Sequence, residues 1–297
     1  MKTVGLETNP QKQTVRDDLV RQMAHLSNGE KISVFTLPAA NAFFEKMLHN
    51  YFTERNIPLA IYCAEKNIKT FRAAKANVPP TVKIWQGGLN RVIYKQVLEK
   101  GRLCDVIWAD FCHAITLKDI KQCIDTIRYV MTDEGIYYIT TNLSGAHIVN
   151  GKRGVWNMLN DRDVNAPCQL DDDEITTDLL RNKTIALFEE GLKKAGIKRV
   201  QKVYDVLYTG GVAGNVPMLT VGFAIGIDRH DDRFPPIILE NRRKKFKSRK
   251  KFCDNITKSE KVRILLDDGC EDKTIMKEVG ISRMSLAAYK ANISRKR

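Results

Sequence analysis

The chain of 297 residues is 43% apolar and 28% charged, a balance that predicts a folded protein, and its length suits one domain of ordinary size plus a small appendage. No stretch approaches 18 uncharged apolar residues, and the opening MKTVGLETNPQKQTVRDD has no apolar core, so neither membrane insertion nor secretion is expected. The net charge of +14 is uneven: residues 229–297 hold 20 Lys and Arg against 10 Asp and Glu, while residues 1–228 hold 29 against 25, so a polyanion is expected at the last quarter of the chain.

Along the chain, Thr14–Leu26 has helical periodicity and forms an N-terminal extension over residues 1–30. Alternation then begins. Strands are predicted at Ile32–Leu37, Leu59–Cys63, Val82–Trp85, Cys104–Ala109 and Gly135–Thr141, separated by helices at Ala40–Glu54, Ile68–Lys75, Leu89–Glu99 and Leu117–Met131. Five apolar strands alternating with helices predict a parallel sheet covered on both faces. A polar stretch, Asn142–Asp172, is read as irregular. A long helix from about Glu174 to Ala195 follows, with the acidic run Asp171–Glu174 at its start rather than a metal site. Val200–Tyr208 and Met218–Ile227 then flank a Gly-rich turn and predict an antiparallel hairpin.

Five β/α units, one more helix and a hairpin with its last strand inserted in the sheet resemble the class I S-adenosylmethionine-dependent methyltransferases, over roughly residues 31–228. The resemblance implies a Rossmann-like sheet, mostly parallel with a terminal antiparallel hairpin, and S-adenosylmethionine as cofactor. In such sheets ligands sit at the carboxyl ends of the strands. After strand one stands Thr36-Leu37-Pro38-Ala39-Ala40-Asn41, without the glycines of the family's loop; Thr36 and Pro38 are the candidate cofactor contacts there. Glu65 follows strand two, where the resemblance implies an acidic residue that accepts hydrogen bonds from ribose hydroxyls. Gln86, before Gly87-Gly88, is the candidate for the adenine edge.

Strand four runs into Asp110-Phe111-Cys112-His113, which is similar to the Asp/Asn-Pro-Pro-Tyr motif of exocyclic amino methyltransferases. The resemblance gives Asp110 both a cofactor contact and the acceptor of a hydrogen bond from the target amine, with His113 in place of the aromatic that stacks on a flipped base. Phe111 and Cys112 replace the two prolines. Cys112 offers a different chemistry, thiolate attack on cytosine, although the family that uses it places Pro before its Cys. Packing is the bland alternative for Cys112 and His113 alike. Lys152, Arg153, Trp156, Asn157 and Arg162 mark the stretch after strand five as a capping loop or a substrate contact.

Residues 229–257 form a basic linker. Within it Arg242, Arg243, Lys244, Lys245, Lys247, Arg249, Lys250 and Lys251 make eight basic residues in twelve, a solvated tether that also suits phosphate contact. Residues 258–297 are read as a small all-α domain of three helices: one from Lys258 to Leu266, one capped by Asp272, and one from Arg283 to Asn292 capped by Ser282, with Gly280 at a left-handed turn and Ile281 in the core. TIMKEVGISRMSLAAYK resembles the helix-turn-helix of resolvases and transposon-type regulators, which implies double-stranded DNA as partner and Arg283, Ser285 and Lys290 as contacts. A three-helix protein-docking module is the alternative. The seven cysteines show no CxxC pair and no zinc-finger spacing, so reduced thiols, no metal site and a cytoplasmic setting are expected, in a prokaryotic cell or a virus-infected host given the tail motif.

Two functions stay open on the sequence alone. One is a DNA methyltransferase acting on an exocyclic amine. The other is a DNA-binding regulatory or replication accessory protein whose methyltransferase-like domain has lost catalysis.

Overall fold

The computed structural model describes residues 9–27, 29–98, 100–111, 113–145, 148–210, 216–227, 258–267 and 271–295. Cys112, the Gly-rich hairpin turn and the basic run from Arg242 to Lys251 lie outside the described residues.

The elements, in chain order, are α1 (Pro10–Ser27), β1 (Ile32–Thr36), α2 (Phe43–Glu54), β2 (Leu59–Glu65), α3 (Ile68–Asn77), β3 (Lys83–Gln86) and α4 (Leu89–Val92). The chain then passes through a π-helical segment (Ile93–Leu98) to β4 (Cys104–Asp110), α5 (Leu117–Val130), β5 (Met131–Asn142), α6 (Gly151–Leu159), α7 (Thr177–Lys194), β6 (Val200–Gly210) and β7 (Val216–Ile225). Three further helices follow: α8 (Lys258–Asp267), α9 (Asp272–Val279) and α10 (Arg283–Arg295).

Seven strands form one sheet in the order β3-β2-β1-β4-β5-β7-β6. Strands β1 to β5 pair in parallel, and β7 lies antiparallel between β5 and β6. The parallel strands are those that the alternation predicts, and the Rossmann-like order with the last strand inserted antiparallel is the one that the resemblance implies. Strand alternation explains the two covered faces. Cys104, Ile107 and Ala109 of β4 join Tyr137 and Ile139 of β5 in one core with residues of α5 and α7, while Val106, Trp108, Ile136 and Tyr138 face the other.

That second core includes Val15, Leu19, Val20, Met23 and Leu26 of α1. At roughly 1.5–3 kcal/mol for each fully buried aliphatic side chain, this stripe fastens α1 to the sheet. Polar bonds fix its rotation: the Tyr138 hydroxyl donates to Gln22 at 2.5 Å, the Tyr204 hydroxyl to Asp18 at 3.0 Å, and the Thr209 amide to Gln11 at 2.6 Å. The helix read from sequence as an extension thus shares the core of the sheet.

Local signals set several helix starts. Asn67 accepts from the amides of Lys69 and Thr70 at the start of α3, and Thr116 and Asp119 form a reciprocal capping box at α5. Three expectations need correction. The stretch from Asn142 contains a helix, α6, which helix propensity hides because it carries Gly151 and Gly154; burial of Val155 and Leu159 supplies what propensity lacks. The acidic run precedes α7 instead of opening it: Thr176 caps the helix through the Leu179 amide, and Glu174 accepts from the Asp171 amide in a turn. Asp272 is the first residue of α9 and not its cap, a position held by Glu271 without a side-chain bond.

Helices α8, α9 and α10 pack around Val262, Leu265, Ile275, Val279 and Leu286, with Ile281 partly buried against them. Gly280 has φ 65° at the end of α9, where a side chain would be strained, and Ser282 accepts from the Ser285 amide at 3.2 Å.

Candidate functional site

The order β2-β1-β4 places the crossover between β1 and β4, where the connections depart in opposite directions and leave a crevice beyond the strand ends. A cavity of about 630 Å³ lies there, within the usual range for small-molecule sites. Its walls come from the segment after β1, the ends of β2 and β4, the turn after β3, and the starts of α1, α2 and α5.

At the end of β4, the Asp110 carboxylate lines this cavity. Its Oδ2 receives the Lys12 ammonium at 2.8 Å, with the two side chains only 12% and 6% exposed. Asp110 Oδ1 is buried and has no hydrogen-bond partner among the described residues. One oxygen of the carboxylate is therefore fixed and the other remains an open acceptor, a costly arrangement unless a donor arrives.

A second carboxylate in this wall is fully buried. Glu45, in the first turn of α2, accepts from the Thr36 hydroxyl at 2.5 Å, and Thr36 is also 3.3 Å from the Cys63 sulfur. Burial pushes the Glu45 carboxyl above its ordinary range, against the opposing effects of the Thr36 hydrogen bond and nearby Arg16. The Arg16 guanidinium stands 5.0 Å over the Phe43 ring, and both residues line the cavity.

The sequence-derived candidates divide. Pro38, Glu65, Asp110 and His113 meet at the cavity. Glu65 is half-buried at the end of β2, with one oxygen accepting from the Asn67 amide at 2.6 Å; burial raises its carboxyl above the usual range. His113 presents its ring at the mouth, 59% exposed, 5.4 Å from the Phe111 ring and 3.7 Å from Asp119.

Thr36 is not a cavity residue, because its hydroxyl is engaged inside the fold by Glu45 and Cys63. Gln86 is exposed outside the lining, and the neighbouring Gly87 and Gly88 take that wall instead. Arg153 is drawn to Asp172 at 2.9 Å. In the C-terminal helices Arg283 is exposed, the Ser285 hydroxyl is 3.0 Å from that of Ser282, and the Lys290 ammonium is held by Asp272 at 2.6 Å.

Sequence reasoning missed Lys12 and Arg16. Their spacing of four along a helix puts both on one face, but nothing local says that this face meets the end of β4. Glu45 was equally hidden, since an acidic residue in a first helical turn reads as a solvated charge.

The residues present fit S-adenosylmethionine in kind. Leu37, Phe43 and Leu89 offer apolar walls, Glu65 a carboxylate acceptor, and Ala39 and Ala40 a small-residue loop in place of glycines. No protein-family model and no curated protein sequence matches the chain. Several solved structures align with part of the chain at low similarity. They include the Methanococcus jannaschii fibrillarin pre-rRNA processing protein, at 10% identity and TM-score 0.41 over 67% of this chain and 68% of that one. A plantazolicin methyltransferase solved in complex with a triazolic desmethylPZN analog and SAH aligns at 8% identity and TM-score 0.45 over 73% and 86%. The Bacillus cereus O-methyltransferase in complex with SAH aligns at 12% identity and TM-score 0.42 over 73% and 82%.

Proposed function

We propose that this protein is an S-adenosylmethionine-dependent methyltransferase that modifies an exocyclic amine of a DNA base. The observation that carries the reading is the Asp110 carboxylate at the end of β4, with Oδ2 held by Lys12 and Oδ1 buried and without a donor among the described residues. A base amine is a donor of the right kind for Oδ1, and the exposed His113 ring beside Phe111 offers a stacking surface for an extruded base. Glu65 would hold the ribose hydroxyls of the cofactor, with Pro38, Leu37 and Leu89 against its apolar parts. When bound, the cofactor supplies an electrophilic methyl group.

Delivery to DNA falls to the C-terminal region. The α9-turn-α10 unit, with Gly280 left-handed and Ser282 as cap, suits a helix-turn-helix whose α10 enters the major groove. Arg283 and Ser285 stand at its leading end, and the run from Arg242 to Lys251 supplies cations for phosphates. Lys290 joins them only by leaving Asp272.

A second reading has its own support. The Lys12 ammonium already occupies one side of Asp110, and the Thr36 hydroxyl is engaged with Glu45, as a domain retained for docking would tolerate. Isothermal titration with S-adenosylmethionine separates the two: binding that Glu65→Ala abolishes supports the enzyme, and no heat at millimolar ligand sinks it. A tritium-transfer assay on duplex DNA then tests Asp110→Ala, and surviving activity ends the assignment of Asp110.

A further inference from the structure

We infer that Lys12 is a positioning residue for Asp110, so that the N-terminal helix completes the reaction centre. The inference rests on the methyl-transfer reading and adds to it the group that orients the acceptor. A carboxylate at a strand end can turn about its own side-chain bonds. Here the Lys12 ammonium binds Oδ2 at 2.8 Å and leaves Oδ1 as the buried oxygen, without a partner among the described residues. A single charged contact thus chooses which oxygen meets the substrate.

The position of Lys12 is built rather than incidental. Its own amide is bonded by Asn9 Oδ1 at 3.1 Å, and the Asn9 side-chain amide donates to the Thr209 carbonyl of β6 at 3.1 Å. Gln11 binds both the amide and the hydroxyl of Thr209. The first turn of α1 is therefore tied to the far edge of the sheet while the Lys12 side chain reaches β4. One turn on, Arg16 lies in the same wall, and its charge acts on Glu45. Two cations from one helix face two carboxylates, Asp110 and the buried Glu45, and the short contact assigns Lys12 to Asp110.

Such a pair carries a desolvation cost that hydrophobic replacement would avoid. Orientation of a reacting group is a function that offsets it, because small misplacements at a reacting centre cost on the order of a hundredfold in rate. The competing account is a plug, in which Lys12 blocks Asp110 from any donor.

The test uses the full chain, S-adenosylmethionine and a duplex oligonucleotide, with Lys12→Met, Lys12→Arg, Asp110→Asn and Lys12→Met/Asp110→Asn. Lys12→Met is expected to lower kcat by on the order of tenfold to a hundredfold with KM for the cofactor little changed, and Lys12→Arg to restore most of the loss. Melting gives a readout free of turnover: Lys12→Met lowers Tm by leaving Asp110 buried alone, and adding Asp110→Asn recovers it. An unchanged or increased kcat in Lys12→Met, while the wild type transfers methyl groups, overturns the role of Lys12 alone. A Tm for the double variant equal to the sum of two independent losses overturns that role as well. No transfer by the wild type overturns the methyl-transfer reading and this inference with it.

Discussion

The Trp108 indole nitrogen donates to the Thr140 hydroxyl at 3.0 Å, and Thr140 shares a further hydrogen bond of 2.8 Å with Thr220. This buried chain crosses β4, β5 and β7 beside the cavity, with the Phe44 ring edge-on to the indole at 4.2 Å. Trp108→Phe removes the donor and part of the packing while Thr140 keeps Thr220. A loss of about 1–3 kcal/mol is expected, read as a lower urea midpoint at unchanged slope.

Asp205 on β6 accepts from Arg181 at 2.9 Å and from Lys202 at 2.6 Å. Burial alone would raise its carboxyl, but these partners outweigh burial and hold it below its ordinary value. A depressed carboxyl contributes stability that is full above the unfolded value near 3.9 and is lost as pH falls through the lower folded value. Arg181→Met is therefore expected to cost about 1 kcal/mol at pH 7. The gap from the wild type should narrow below about pH 4, as urea unfolding across a pH series would measure.

Gly226, after β7, has φ 73°, and a Cβ there would overlap the Asp133 carbonyl oxygen. Gly226→Ala combines a strained backbone with a clash against main chain that cannot turn aside. A loss of more than about 2 kcal/mol is expected; calorimetric melting of the variant beside the wild type would show it.

Glu278 of α9 takes both Arg91 and Lys95 at 3.1 Å through one oxygen, and Arg263 of α8 meets Asp125 of α5 at 2.9 Å. These pairs dock the C-terminal helices on the α/β unit. Glu278→Lys reverses the charge facing two cations. It should increase the radius of gyration in X-ray scattering, with the helical circular dichroism retained; an unchanged scattering curve would refute the docking role.

Cys63, Cys104 and Cys123 are buried, and burial pushes all three thiols above their ordinary value. They are expected to resist iodoacetamide in the native protein, with the half-buried Cys168 labelled ahead of them in a peptide map.

Much of the fold was legible because it is encoded locally. Apolar runs such as Cys104–Ala109, between helical periodicities and turn residues, determine strands buried on both faces, and Thr116 with Asp119 marks a helix start. Sequence also determined that Glu65 and Asp110 stand at strand ends, since strand length fixes where a chain leaves the sheet. It did not determine helix α6, whose glycines conceal a segment held by packing, or the engagement of Thr36 by Glu45.

The partnership of Lys12 with Asp110 was decided by tertiary structure alone. A helical stripe of Val15, Leu19 and Met23 says that α1 buries one face, but the hydrophobic effect has no direction and names no partner. Polar contacts, among them the hydrogen bonds of Gln11, Asp18 and Gln22 to β6 and β5, fix where that face lands. That placement brings a cation from the start of the chain to the carboxylate at the centre of the sheet.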